Sequence, residues 1–138
     1  MKVQLKKLTP EEWYRYAEEC HRLIFKTQRD PWIDRISYAF LAYDDSGPIG
    51  YVTCRELDRD SLYWQYGGAI EERRGVASVR TFDAILEEAR SKYRRVTTYV
   101  ENNNVGYLHL LMKQGFRVVG MRVFEGKIYL ELFIEFGG

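Results

Sequence analysis

The chain has 138 residues, enough for one domain (1–138) with a real core. A composition of 46% hydrophobic and 30% charged residues, 15% of the chain being aromatic, excludes disorder and collagen- or mucin-like sequence. Lys and Arg total 21 against 20 Asp and Glu, so the net charge of +1 exerts no global pull on nucleic acid or anionic membrane.

No apolar stretch approaches the roughly 20 residues that span a bilayer. The opening "MKVQLKKL" lacks the apolar core of a signal peptide. The expectation is a cytoplasmic protein with no membrane partner. Cys20 and Cys54 stand far apart, and with His21 and His109 they form no zinc spacing. Both cysteines read as reduced thiols, and no structural metal is expected.

"KVQLKKL" alternates like a half-buried strand. "TPEE" opens a helix: Thr9 caps, Pro10 takes the first helical position and Glu12 completes a capping box. The spacing predicts a helix to about residue 28, with Trp13, Tyr16, Ala17, Cys20 and Ile24 on one face. "PWIDRI" reads as a second short helix. Strands follow over 37–43, ending in the turn "DDSG", then over 49–56 and 61–70. In the third, Gly67 and Gly68 mark either a bulge or a close backbone approach.

The loop "EERRGVAS" precedes an amphipathic helix to about Lys92, with Val79, Phe82, Ile85, Leu86 and Ala89 at helical spacing. "RRVTTYVE" is a β-branched strand, and residues 105–114 form the last helix. "FRVVGMRVF", the turn "EGK" and "IYLELFIEF" close the chain as a hairpin. Strand–helix–strand in the middle implies one parallel crossover within hairpin-linked strands. The fold class is α/β: a mixed, mostly antiparallel sheet of about six to seven strands with helices on both faces.

Two stretches carry chemistry. The loop at Glu71–Ser78 meets a helix N-terminus, whose unpaired N–H groups make an anion site, and Arg73 and Arg74 would add charge-assisted contacts. An ordinary exposed turn is the competing reading. In "ENNNVGYLHLLMKQGF", Asn104 or its neighbours Asn102 and Asn103 would cap the helix. Gly115 suits the left-handed position after it, and Phe116 the apolar contact that follows.

"AIEERRGVASVRTFDAILEEA" and "TTYVENNNVGYLHLLMKQGFRVVG" together resemble the two cofactor motifs of the GCN5-related N-acetyltransferases. The element order matches along the chain, and residues 62–120 carry the sequence likeness. The family's Arg/Gln-x-x-Gly-x-Gly/Ala loop fits in neither register. Arg73 as its arginine puts Val76 and Ser78 at the glycine positions, whereas Gly75 and Ala77 there put Glu72 at the arginine.

The resemblance implies an acyl-CoA N-acyltransferase-like fold and an acetyl-CoA-dependent transfer to an amine, small-molecule or peptide, by direct attack in a ternary complex. It implies cofactor contacts from Ala69, Ile70, Arg73, Arg74, Gly75, Val76, Ala77 and Ser78, with Asn104 and Tyr107 on the pantetheine arm. It also implies a donor N–H from a bulged strand, which Gly67-Gly68 would supply. Many family members carry a thiol-protonating tyrosine four residues before the Gly-Phe glycine, where this chain has Leu111.

Tyr107 lies one turn earlier, about 6 Å back along the axis, and is the candidate general acid; lining the channel or packing are its other readings. Glu101 is the candidate general base, with Glu56 and Asp60 behind it and a solvated strand end as the alternative. Trp32, Tyr63, Trp64 and Tyr66 suggest an aromatic entrance. A homodimer is compatible with all of this. The alternatives are a non-catalytic acyl-CoA-binding or regulatory domain and, against the charge balance, a nucleic-acid module using Arg90, Lys92, Arg94 and Arg95; no nucleic acid is expected.

Overall fold

The computed structural model describes residues 3–15, 36–70 and 73–137. Tyr16, Ala17, Cys20, His21, Ile24, Trp32 and the predicted helix at "PWIDRI" lie outside the described residues.

Alternating apolar residues give the strands β1 (Gln4–Leu8), β2 (Tyr38–Asp44), β3 (Gly47–Glu56), β4 (Ser61–Ala69), β5 (Arg95–Glu101), β6 (Arg117–Phe124) and β7 (Lys127–Glu135). They form one sheet in the order β1-β2-β3-β4-β5-β7-β6. Every neighbouring pair is antiparallel except β4 and β5, because the helix between them returns the chain to the same end of the sheet. Helix α1 is described over residues 10–15, α2 spans Val76–Lys92 and α3 spans Val105–Lys113.

The capping box forms as the sequence predicts. Thr9 N–H donates to Glu12 Oε1 at 3.1 Å, and Glu12 N–H donates to Thr9 Oγ1 at 3.2 Å. Trp13, one turn in, is fully buried beside Tyr51 with ring centroids 4.6 Å apart, and Leu8, Ala39 and Ile70 complete that core. On the other face of the sheet Phe82, Ile85, Leu86 and Ala89 of α2 and Leu108 and Leu111 of α3 pack on Val52, Cys54, Trp64, Val96 and Leu132. Full burial of each such side chain contributes roughly 1.5–3 kcal/mol. Val79, on the predicted apolar stripe of α2, is instead 43% exposed.

The strand before α2 is bulged, but not at the glycines. Thr53 faces Tyr66 and Cys54 faces Trp64, so Gln65 is the extra residue of β4. Gly67 serves the other purpose of a strand glycine. A Cβ there would sit 2.9 Å from Val52 Cγ2 and 3.0 Å from the Tyr51 carbonyl oxygen, so only glycine lets β4 lie this close to β3.

Candidate functional site

The β4–β5 ladder is short. Ser61–Trp64 pair with Arg95–Thr98, and beyond Trp64 the two strands have no common rungs. From there they splay, and the edge of β4 that faced β5 loses its partner. The Ile70 N–H donates to the Ile49 carbonyl at 2.7 Å, which fixes the phase of the antiparallel β3–β4 ladder. By alternation Gly68 also bonds toward β3, while Gly67 and Ala69 turn their N–H and C=O groups into the splay. The Ala69 carbonyl accepts from Arg74 Nε at 3.3 Å on that open side.

A cleft of about 620 Å³ occupies this gap, within the size range of cofactor sites. Gly67, Gly68 and Ala69 form its floor. One wall is the start of α2, with Arg74, Gly75, Ser78, Val79 and Phe82; the other is the start of α3, with Asn103, Asn104, Gly106, Tyr107 and Leu110. Val79 is exposed because it lines this cleft instead of the core. Gly106 and Leu110 had no signal in the sequence, and Asn103 entered it only as an alternative cap.

The N-terminus of α2 is built by small residues. Gly75 takes φ 118°, a left-handed value that favours glycine. Its N–H donates to Ser78 Oγ at 3.2 Å, and that hydroxyl donates back to the Gly75 carbonyl at 2.9 Å. The amides of Val76, Ala77 and Ser78 have no intrahelical acceptor, and no acidic residue sits in the first turn to compete for an anion. Val76 and Ala77, expected to contact the cofactor, instead line a separate hollow with Val3, Asp44, Arg73 and Arg80 and are not among the residues that line the cleft.

The two arginines divide. Arg74 lines the cleft, whereas Arg73 reaches back to the β2–β3 turn, pairing with Asp44 and donating to the Gly47 and Pro48 carbonyls at 3.2 and 3.3 Å. Hydrogen bonding from Arg73 holds the Asp44 carboxyl below its usual range. Arg73 thus fastens the loop, and Ile70 packs in the α1-side core with its N–H bound to β3.

At the other wall Asn104 occupies the N-cap of α3 but makes no side-chain capping bond; its side chain is left at the cleft. The far end of α3 follows the predicted geometry. Gly115 has φ 108°, its N–H donates to Met112 O and Phe116 N–H donates to Leu111 O, each at 3.1 Å. Leu111 is fully buried, whereas Tyr107 one turn earlier lines the cleft, its ring 5.3 Å from that of Phe82. Burial pushes the Tyr107 phenol up, so it stays protonated.

Glu101 closes β5 opposite Tyr129 of β7 and is half-buried. Val96, Thr98 and Val100 are the buried residues of β5, so Glu101 and Tyr99 point to the opposite face, away from α2 and α3. Tyr99 meets Tyr63 edge-on at 5.9 Å on that face, and the Arg122 guanidinium lies 4.8 Å from the Tyr99 ring centroid. Trp64 lies on the helix side, fully buried against Phe116, not at an entrance. Among the described residues no Asp, Glu or His lines the cleft, and no group of three or more His, Cys, Asp or Glu could hold a metal. Arg90 and Arg95 are engaged with Glu87 and Ser61.

No protein-family model and no curated protein matches the sequence. Solved structures match its fold along nearly the whole chain. A GNAT family acetyltransferase from Elizabethkingia anophelis with acetyl-CoA bound aligns with a TM-score of 0.73 at 18% identity, over 97% of this chain and 98% of the other. Arabidopsis thaliana Naa50 in complex with the bisubstrate analogue CoA-Ac-MVNAL aligns with a TM-score of 0.77 at 16% identity, over 99% and 100%. The spermidine/spermine N-acetyltransferase SpeG from Vibrio cholerae aligns with a TM-score of 0.72 at 14% identity, over 97% and 95%. At such identities the likeness is one of fold.

Proposed function

From a chain with the fold of the GCN5-related N-acetyltransferases, we propose an acetyl-CoA-dependent N-acetyltransferase that works by direct transfer. The observation that carries this reading is the unpaired β4 edge, Gly67 to Ala69, opening between two helix N-termini. A strand edge recognises an extended amide chain such as pantetheine, and the first amides of α2 recognise a pyrophosphate. Arg74 adds charge at the phosphates, and Asn104 bonds the pantetheine arm. The N–H of Gly67 or Ala69 donates to the thioester oxygen as it gains charge, a contribution of about 3 kcal/mol.

In the transfer the amine nitrogen forms a bond to the acetyl carbon, the carbon–sulfur bond breaks, and the thiolate leaves with its electron pair. The amine's proton passes to Glu101, reached through the splay, or to water. Tyr107 is the phenol nearest the leaving group. With its pKa raised above that of an ordinary thiol at about 8.5, it stabilises the thiolate as a hydrogen-bond donor and does not give up its proton outright. Polyamines and peptide N-termini, the acceptors suggested by SpeG and the CoA-Ac-MVNAL complex, head the amine panel.

Calorimetric titration with acetyl-CoA, followed by thiol release across that panel, tests the proposal. Binding with amine-dependent release of CoA supports it, and no binding sinks it. The second reading, a non-catalytic acyl-CoA-binding or regulatory domain, is favoured by the absence of any Asp, Glu or His among the described lining residues. Tight binding without release to any acceptor would select it.

A further inference from the structure

The face of the sheet opposite α2 and α3 carries charge at the mouth of the splay. Tyr99 is the first residue of β5 beyond the last β4–β5 rung, and it points to that face together with Glu101. Tyr63 of β4 meets the Tyr99 ring edge-on at 5.9 Å, so two phenols line the vertex of the splay on this side. Arg122 of β6 stands on the rung of Tyr129 and Glu101. Its side chain crosses β7 and brings the guanidinium 4.8 Å from the Tyr99 ring centroid.

That guanidinium is uncommitted. Among the described residues no carboxylate pairs with it, although Glu101 and Glu131 share its face of the sheet. Glu131 turns toward β6, its Oε1 lying 3.0 Å from where a Cβ on Gly120 would stand. Arg55, opposite Tyr63 on β3, is also exposed. Burial, then Tyr99, raises the Tyr63 phenol, and the charges of Arg122 and Arg55 oppose that rise, so both cations lie near the ring. A guanidinium held at a ring keeps its edge donors, the fork that takes a carboxylate with two parallel bonds.

The two charges fit the two ends of one molecule. With acetyl-CoA between α2 and α3 the helix side of the splay is filled, so an acceptor reaches the thioester from the Tyr99 face. Glu101 is the carboxylate at the splay, and Arg122 lies two strands away with Tyr129 between them. The backbone spacing is about 10 Å, two interstrand distances, and Arg122 shortens it by reaching back to Tyr99. An ammonium drawn to Glu101 and an anionic group drawn to Arg122 are then a few bonds apart. A polyamine would instead bring a second cation to Arg122.

We propose that the acceptor is zwitterionic, a primary amine carrying a carboxylate, with its acid held by Arg122 and its amine brought to the splay beside Glu101. The proposal rests on the acetyl-CoA-dependent transferase reading and adds the acceptor class to it. CoA release from acetyl-CoA, measured with unbranched amino acids from glycine to 6-aminohexanoate and with the primary amide of each, tests it. The wild type should favour the acid over its amide at one chain length or more. Arg122→Gln should cut that ratio of kcat/KM roughly tenfold, chiefly through a raised KM for the acid, and Arg122→Lys should keep part of it. Acetyl-CoA binding without release to any acid, equal use of acid and amide, or a ratio that Arg122→Gln leaves intact would overturn the proposal and leave cofactor binding standing. Faster polyamine turnover in Arg122→Gln with no loss on the acids would also overturn it, by showing that the arginine holds the place of a cationic acceptor. Absence of acetyl-CoA binding would remove the transferase reading, and this proposal with it.

Discussion

Replacing Leu111 with tyrosine restores the residue type that the family motif carries at this position, and the structure gives a definite result for it. Leu111 is fully buried among Leu108, Phe116 and Leu132. A tyrosine adds ring volume to a close-packed core, at a cost of about 1–3 kcal/mol. Its hydroxyl, placed there without a partner, costs a further 1–3 kcal/mol or so. The sum, roughly 2–6 kcal/mol, corresponds in a domain of this length to a fall in Tm of about 8–20 °C. Leu111→Phe bears only the volume penalty and should lose roughly half as much. Thermal melts of both variants, with CoA release measured well below the lower Tm, read the two effects separately. An unchanged Tm together with a raised kcat in Leu111→Tyr would refute the reasoning, because it would mean that position 111 reaches the thioester.

The divided arginines predict divided phenotypes. Arg74→Ala removes a charge-assisted contact from the cleft and should raise the acetyl-CoA Kd about tenfold or more in calorimetry. Arg73→Ala unfastens the β2–β3 turn and should lower Tm while changing Kd less than Arg74→Ala does; the reverse pattern would exchange their roles. Asp44 has a folded-state pKa below its ordinary value near 3.8, so its contribution to stability is present above that pH and is lost as pH falls through the depressed value. Urea denaturation of Asp44→Asn should therefore differ from wild type by a constant amount at neutral pH, and the difference should shrink below about pH 4. A difference that persists unchanged to about pH 3 would count against the Arg73 pair as its cause.

What was legible in the sequence was local. The Gly115-Phe116 exit and the Thr9–Glu12 box are each specified within one turn of helix, and both form as read. The turn at Glu125-Gly126 follows from the same kind of short-range chemistry. The hairpins and the crossover through α2 were also accessible, but the single crossover expected is in fact two: α3 links β5 to the parallel β6, and β7 returns to insert between them. What escaped depends on partners distant in sequence. Arg73 finds Asp44 across 29 positions, and no loop motif can show that a basic residue beside a helix start is already engaged. The bulge belongs to the register between β3 and β4, so the two glycines drew attention while Gln65 carried it. Asn104 holds the cap position without the capping bond, because its neighbourhood is a cleft wall and not a closed turn.

The short β4–β5 ladder makes the sheet two blades joined by the rungs between Ser61–Trp64 and Arg95–Thr98. A cofactor lying along β4 would act as a missing strand, bridging blades that the chain leaves apart. Its mark would be periodic: amide hydrogen exchange at Gly67 and Ala69 should slow on acetyl-CoA binding, while Gly68 and Ile70, already bonded to β3, should change little. Seen in this way, the ligand is the last element of secondary structure to be added to the sheet.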